Sequence, residues 1–202
     1  MKERYIFLLR HCQTQLSDKK RLIGQYDVPL SQEGIALSHR IGEILKKNQL
    51  HHVFCSDLKR SKKTAEIIAS YINHKPQSLK ELNEISLGRW DGMYIDDIRN
   101  KYPIEYDQRG KDLINYKISG GENFIELQER AKTTFKEIQK KEGNILIVGH
   151  SGFNRALLCE LLKIPINRLL TINQNYGCCN IIIEKASNFY IKLINGNLTI
   201  DV

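Results

Sequence analysis

Ile145-Leu146-Ile147-Val148-Gly149-His150-Ser151-Gly152-Phe153 is the stretch on which the reading of this chain turns. Its four aliphatic residues, three of them β-branched, are too few to span a membrane and suit a strand buried on both faces. The run stops at Gly149. Phe153, Ala156, Leu157, Leu161 and Leu162 then recur at helical spacing, so a strand passes into a helix across His150-Ser151-Gly152.

The same pattern repeats outward. Tyr5–Leu9 is a strand-like run followed at once by Arg10-His11, and His52–Cys55 is another, followed by Ser56-Asp57 and a helical stripe of Leu58, Ala65, Ile68 and Ala69. Ser31 has the chemistry of an N-cap for a helix carrying Gly34, Leu37, Ile41, Ile44 and Leu45 on one side. Gly121-Glu122-Asn123-Phe124 opens a further helix expected to reach about Lys141 and stop before Gly143. Near the end, Asn180–Glu184 and Phe189–Ile194 read as strands joined by the short turn Ala186-Ser187-Asn188, hence an antiparallel pair. Strands alternating with helices predict an α/β fold: a three-layer α/β/α sandwich with a mostly parallel central sheet. Residues 91–120, with Pro103, Gly110 and scattered charges and aromatics, break the pattern and read as a helical cover insertion of the kind that lies over a site.

Composition bounds the function. The chain has 202 residues, 41% hydrophobic and 27% charged, which fits one globular domain with a real core. No apolar run approaches the ~18 residues of a membrane span. The stretch Met1–Arg10 has a short apolar part and no small-residue cleavage site, so a secretory leader is not expected. Lys and Arg outnumber Asp and Glu by 31 to 23, a formal +8, which fits an anionic partner and leaves nucleic acid, an acidic membrane surface and a phosphorylated metabolite open. The five cysteines (12, 55, 159, 178 and 179) form no Cys-x-x-Cys pair, which argues against a zinc ribbon or a thioredoxin-like motif and points to a reducing, cytoplasmic setting.

Ligands in open α/β sheets bind beyond the carboxyl ends of the strands. Arg10 and His11 stand at the end of the first strand, Arg60 in the first turn after the second, and His150 at the start of the helix that follows Val148-Gly149. Two histidines and two arginines at such positions, with free helix N–H groups beside them, describe a site for a dianion. Two other side-chain arrangements that could act on such a dianion fail on the sequence. A Cys-x5-Arg loop would need arginine at Asp18, Ser61 or Glu184, and Asp96-Asp97 has no apolar strand before it. His51-His52 precede a strand with no third ligand nearby and read as surface residues.

These blocks resemble the histidine phosphatase (phosphoglycerate mutase-like) superfamily. Leu9-Arg10-His11-Cys12-Gln13-Thr14 is similar to its Arg-His-Gly-Glu-Thr signature. The resemblance continues through Gly24-Gln25-Tyr26-Asp27, Pro29-Leu30-Ser31, Ser56-Asp57, Arg60-Ser61, Thr64-Ala65, Leu82-Asn83-Glu84, Gly88-Arg89-Trp90-Asp91-Gly92, Gly120-Gly121-Glu122 and Val148–Gly152, in family order. It implies a single histidine phosphatase domain over 1–202. It assigns His11 as the nucleophile that takes the phosphoryl group, Glu84 as the acid that protonates the leaving alcohol and then activates water, and Arg10, Arg60 and His150 as the phosphoryl clamp. Ser17, Gly24 and Ser151 are further phosphate-binding candidates, and neither a metal nor another cofactor is implied.

Cys12, Gln13 and Ser17 depart from the family's usual Gly, Glu and Asn. Cys12 either narrows the pocket and exposes it to oxidation or is a tolerated small residue; the second reading is preferred. The length resembles the shorter phosphatase branch, within which the chain is similar to alpha-ribazole phosphatases of cobalamin synthesis and to broad-specificity and sugar-phosphate phosphatases. The expected partner is therefore a small phosphorylated metabolite, with alpha-ribazole 5'-phosphate as a candidate and with no nucleic acid or membrane; a homodimer is admitted. The alternatives are a cofactor-dependent phosphoglycerate mutase and a non-catalytic phosphate- or nucleic-acid-binding protein.

Overall fold

A computed structural model describes residues 3–15, 20–186 and 188–198. In chain order its elements are β1 (Arg4–Arg10), α1 (Gln32–Leu45), β2 (Leu50–Cys55), α2 (Lys59–Ser70), β3 (Gln77–Ser78), α3 (Ile95–Lys101), α4 (Pro103–Lys111), α5 (Phe124–Ile138), β4 (Asn144–Gly149), α6 (Ser151–Leu162), β5 (Cys179–Lys185) and β6 (Asn188–Gly196). The strands form one sheet in the order β3-β2-β4-β1-β5-β6. β1, β2, β3 and β4 run parallel, β5 is antiparallel to β1, and β6 is antiparallel to β5.

The continuous apolar strands have a direct explanation, because helices cover both faces. On β1, Ile6 and Leu8 join one core cluster with Leu127, Phe135, Phe153 and Leu157 from α5 and α6. The alternate residues Phe7 and Leu9 join the other, with Ile41, Leu45, Ala65 and Ile68 from α1 and α2. β4 divides in the same way, Ile145 and Ile147 to one side and Leu146 and Val148 to the other. The α/β/α sandwich is thus observed as expected. Among the described residues no helix is long and apolar enough to cross a membrane.

Element ends differ in instructive ways. α2 begins at Lys59, two residues past the Ser56-Asp57 signal, because those side chains have other partners: Ser56 Oγ lies against His150 and the Asp57 carboxylate accepts from Ser78 Oγ. α5 begins at Phe124, where Asn123 and Glu126 form a reciprocal capping box, and ends at Ile138, before the expected Lys141. β3 has only Gln77 and Ser78, too short to show a period in the sequence.

In the segment 91–120, α3 and α4 are fastened by buried Ile98 and Ile118 and by Trp90, which is fully buried and packs on Tyr102 and Tyr106 with ring centroids 6.3 and 6.4 Å apart. It docks on the β1–α1 connection through Leu22 N–H to Met93 O (2.9 Å), Gly92 N–H to Leu22 O (2.8 Å) and Ile95 N–H to Lys20 O (3.1 Å).

α1 is seated tightly on the loop that leaves β1. Ser31 caps the helix by accepting from Gly34 N–H at 3.1 Å, and its own N–H donates to Gln13 O at 3.0 Å. A Cβ at Gly34 would lie 2.1 Å from that same Gln13 oxygen. Backbone held on both sides cannot yield, so Gly34→Ala is expected to cost about 1–3 kcal/mol. Urea denaturation should show a lower midpoint at unchanged slope, and an unchanged midpoint would contradict this packing.

Candidate active site

Parallel pairing of β1 with β4 and of β4 with β2 brings three strand ends together. Arg10 is the last residue of β1 and His11 the next, its N–H donating to Gly149 O at 3.0 Å. Arg60 comes from the first turn of α2, His150 is the N-cap residue of α6, and Glu84 comes from the connection after β3. The His11 and His150 rings lie 5.0 Å apart, centroid to centroid.

His11 is buried, and its Nδ1 is 2.8 Å from Cys12 O. A carbonyl oxygen only accepts, so Nδ1 carries the proton and Nε2 keeps the lone pair. Burial, followed by the Arg60 and Arg10 charges, holds the imidazole well below its ordinary 6.5. His150 is fully buried, with Nε2 2.6 Å from Ser56 Oγ. It too is lowered well below 6.5, by burial first and then by Arg60 and His11.

Arg60 is 2% exposed, and its Nη1 and Nη2 donate to Tyr26 O (2.9 Å) and Gly24 O (2.7 Å). Gly24 therefore enters the site through its carbonyl, behind the guanidinium. Its φ of +50° is one that L side chains rarely adopt, and a Cβ there would lie 1.8 Å from Asp91 Oδ1. That oxygen accepts from Gln25 N–H (2.9 Å) and Leu87 N–H (3.0 Å), which ties the Gly24 turn to the segment before the cover.

Glu84 lies at the N-terminus of α6. Its carboxylate accepts from Gly152 N–H at 3.0 Å, Phe153 N–H at 3.1 Å and Ile85 N–H at 3.0 Å. A helix N-terminus offers unpaired N–H groups and a positive dipole end, the natural seat for a carboxylate. The backbone carrying Glu84 is clamped by Arg130, which donates to the carbonyls of Glu81 (2.7 Å) and Asn83 (2.9 Å) and pairs with Glu122.

Of the other candidates, Ser151 is the first residue of α6, and its Oγ accepts from Arg155 Nη1 at 2.7 Å. Ser17 lies outside the described residues. Cys12 is completely buried in the core with Phe7, Leu9 and Leu30, and burial pushes its thiol up to about 11. A protonated core thiol is unreactive, which favours the tolerated-small-residue reading. Motif reading missed Tyr176, whose ring lies 3.8 Å from Arg10 Cζ and 5.5 Å from the His11 ring, and Gln174, whose carbonyl accepts from Arg10 Nη1 at 2.5 Å. Their loop carries no local signature; only the fold returns it to β1.

Of the buried nitrogens with no hydrogen-bond partner among the described residues, Arg10 Nε, Arg60 Nε and His150 Nδ1 belong to the residues brought together here. Buried donors are normally satisfied, and an oxyanion satisfies several at once. The arrangement can hold a dianion against a neutral nucleophilic nitrogen.

The neutral histidines also set a sign for stability. Below pH 6.5 the unfolded chain protonates both imidazoles while the folded chain does not, so acid favours unfolding, by up to about 1.4 kcal/mol per pH unit for each histidine. The melting temperature should fall more steeply from pH 7 to pH 5 in the native protein than in a His11→Asn/His150→Asn variant. Parallel curves would rule this out.

Residues 6–197 match the histidine phosphatase superfamily (branch 1). Phosphoserine phosphatase 1 of Hydrogenobacter thermophilus is 27% identical over 195 residues, covering 93% of this chain and 90% of that protein. A 6-phosphofructo-2-kinase/fructose-2,6-bisphosphatase of Aquarana catesbeiana is 30% identical over 204 residues, covering 94% of this chain, which spans only 40% of that enzyme. Among solved structures, the alpha-ribazole phosphatase of Shigella flexneri superposes with a TM-score of 0.87 at 25% identity, over 95% of this chain and 96% of that one. With the match running from β1 through to β6 and taking in every strand-end residue described above, the chain belongs to the histidine phosphatase superfamily, branch 1.

Proposed function

We propose that the protein hydrolyses small phosphomonoesters through a phosphohistidine formed on His11. One observation carries the reading: His11 keeps Nε2 unprotonated between two arginines, with His150 and Glu84 brought to the same strand ends.

The chemistry follows from these placements. The Nε2 lone pair attacks phosphorus as the P–O bond to the alcohol breaks. The guanidinium groups of Arg10 and Arg60, with His150, take up the charge that the transition state spreads over the phosphoryl oxygens. Glu84 supplies the proton that lets the alcohol leave, then removes one from the water that breaks the P–N bond, regenerating His11. The side chains alone neutralise the phosphoryl charge in this scheme, so turnover is expected to persist in EDTA.

Alpha-ribazole 5'-phosphate is the substrate suggested by the sequence resemblance, and the likeness to the Shigella alpha-ribazole phosphatase supports it. Phosphoserine and fructose 2,6-bisphosphate, named in the two sequence relatives, belong on the same panel. A place in cobalamin synthesis goes with the first of these. The five buried free cysteines suit the reducing cytoplasm.

His11→Ala should abolish hydrolysis of p-nitrophenyl phosphate, and acid-labile phosphate should be trapped on His11 in the native enzyme; activity surviving in the variant refutes the mechanism. Glu84→Gln should lower kcat/KM for an alkyl phosphate by about 10²–10⁴-fold. It should cost much less with p-nitrophenyl phosphate, whose phenolate leaves without a proton. Equal losses on both substrates would remove Glu84 from the acid role.

A further inference from the structure

We propose that Tyr176 is a positioning residue of the phosphoryl site: its ring supports the Arg10 guanidinium and, with the backbone of its own loop, sets the direction from which that guanidinium meets phosphate. The proposal rests on the phosphoryl-binding role of Arg10 given above.

Three contacts on Arg10 come from one short loop. Its N–H donates to Cys178 O at 3.0 Å, its Nη1 donates to Gln174 O at 2.5 Å, and its Cζ lies 3.8 Å from the Tyr176 ring centroid. The loop also grips the nucleophile: Gly177 N–H donates to His11 O at 3.2 Å, and the Tyr176 ring lies 5.5 Å from the imidazole, tilted by 54°. No carboxylate among the described residues is paired with Arg10. A carboxylate there would neutralise the charge that phosphate needs, whereas an aromatic face attracts a cation through its quadrupole and leaves the net charge in place.

The loop is anchored from behind. The side chain of Gln174 is buried, and its amide pairs with that of Asn180, Nε2 to Oδ1 at 2.8 Å and Asn180 Nδ2 to Gln174 Oε1 at 3.0 Å. Asn154 Nδ2 from α6 donates to the same Oε1 at 3.2 Å. Asn180 Nδ2 also donates to Leu8 O on β1 at 2.9 Å, and its Oδ1 accepts from Asn195 N–H on β6 at 2.9 Å. Side-chain amides thus tie the loop to α6, β1, β5 and β6, so that Tyr176 is presented from a fixed frame.

The test uses calorimetric affinity for inorganic phosphate, which needs no turnover. Tyr176→Phe keeps the ring and should bind phosphate within about twofold of the native protein. Tyr176→Leu keeps the bulk without the π face and should bind about 3- to 30-fold more weakly. In an Arg10→Ala background the same leucine substitution should have no further effect. A variant with 3,4,5-trifluorophenylalanine at position 176, with the shape of phenylalanine but without the negative ring face, guards against a leucine variant that folds poorly. It should bind several-fold more weakly than Tyr176→Phe at the same melting temperature. Equal affinity of the fluorinated and phenylalanine variants, or a leucine penalty of the same size with and without Arg10, overturns the proposal. Hydrolysis without this coupling defeats the role of Tyr176 alone, and coupling in a protein that binds phosphate but never hydrolyses esters defeats the phosphatase reading alone.

Discussion

Arg60 is a nearly buried cation whose Nη1 and Nη2 donate to backbone carbonyls, Tyr26 O and Gly24 O, and much of the site hangs on that one fact. A guanidinium taken out of water is costly unless its N–H groups are satisfied. Satisfying two of its nitrogens with carbonyl dipoles, rather than with a paired carboxylate, adds no formal negative charge at the guanidinium. Those carbonyls reach Arg60 only because Gly24 takes a left-handed backbone and leaves room for Asp91. Asp91 then binds Leu87, and the cover docks on the neighbouring residues 20–22.

The positive field has two consequences. With Arg10 it favours an anion at the strand ends, as the proposed phosphoryl site requires, and with burial it keeps His11 and His150 neutral. A protonated imidazole has no lone pair for phosphorus, so in the proposed mechanism the feature that would bind the substrate would also keep His11 able to attack. Glu84 has partners of its own beside this field, the first N–H groups of α6. The helix that follows His150 therefore orders two of the proposed groups at once, His150 at its N-cap position and Glu84 on its first N–H groups.

Arg10 and Arg60 are held by different means. Arg60 is enclosed between α2 and the Gly24 turn, while Arg10 sits at a strand end against Tyr176, Gln174 and Cys178. That loop joins the antiparallel part of the sheet to the parallel part, because it precedes β5, which pairs with β1. The antiparallel addition to the sheet thus reaches the site as well as closing its edge.

Much of this was legible in the order of residues. The apolar runs predicted the main strands because a strand covered on both faces has no polar positions. Ser31 and the periodic stripes placed the helices because capping and amphipathicity are local properties. Arg10, His11, Arg60, Glu84 and His150 stood out because they lie at strand ends or within blocks in family order. Several things depended on the tertiary structure. The two-residue β3 is too short to have a period, and α2 starts late because Ser56 and Asp57 are engaged elsewhere. Whether Cys12 faces the pocket or the core depends on the packing of α1 and α2 against β1. The contribution of Tyr176 depends on the pairing of strands more than 160 positions apart in the chain, Arg10 and Gln174 among their neighbours. Periodicity and caps record interactions within a few residues, whereas the charge, burial and aromatic support of a phosphoryl site arise between segments that only the fold brings into contact.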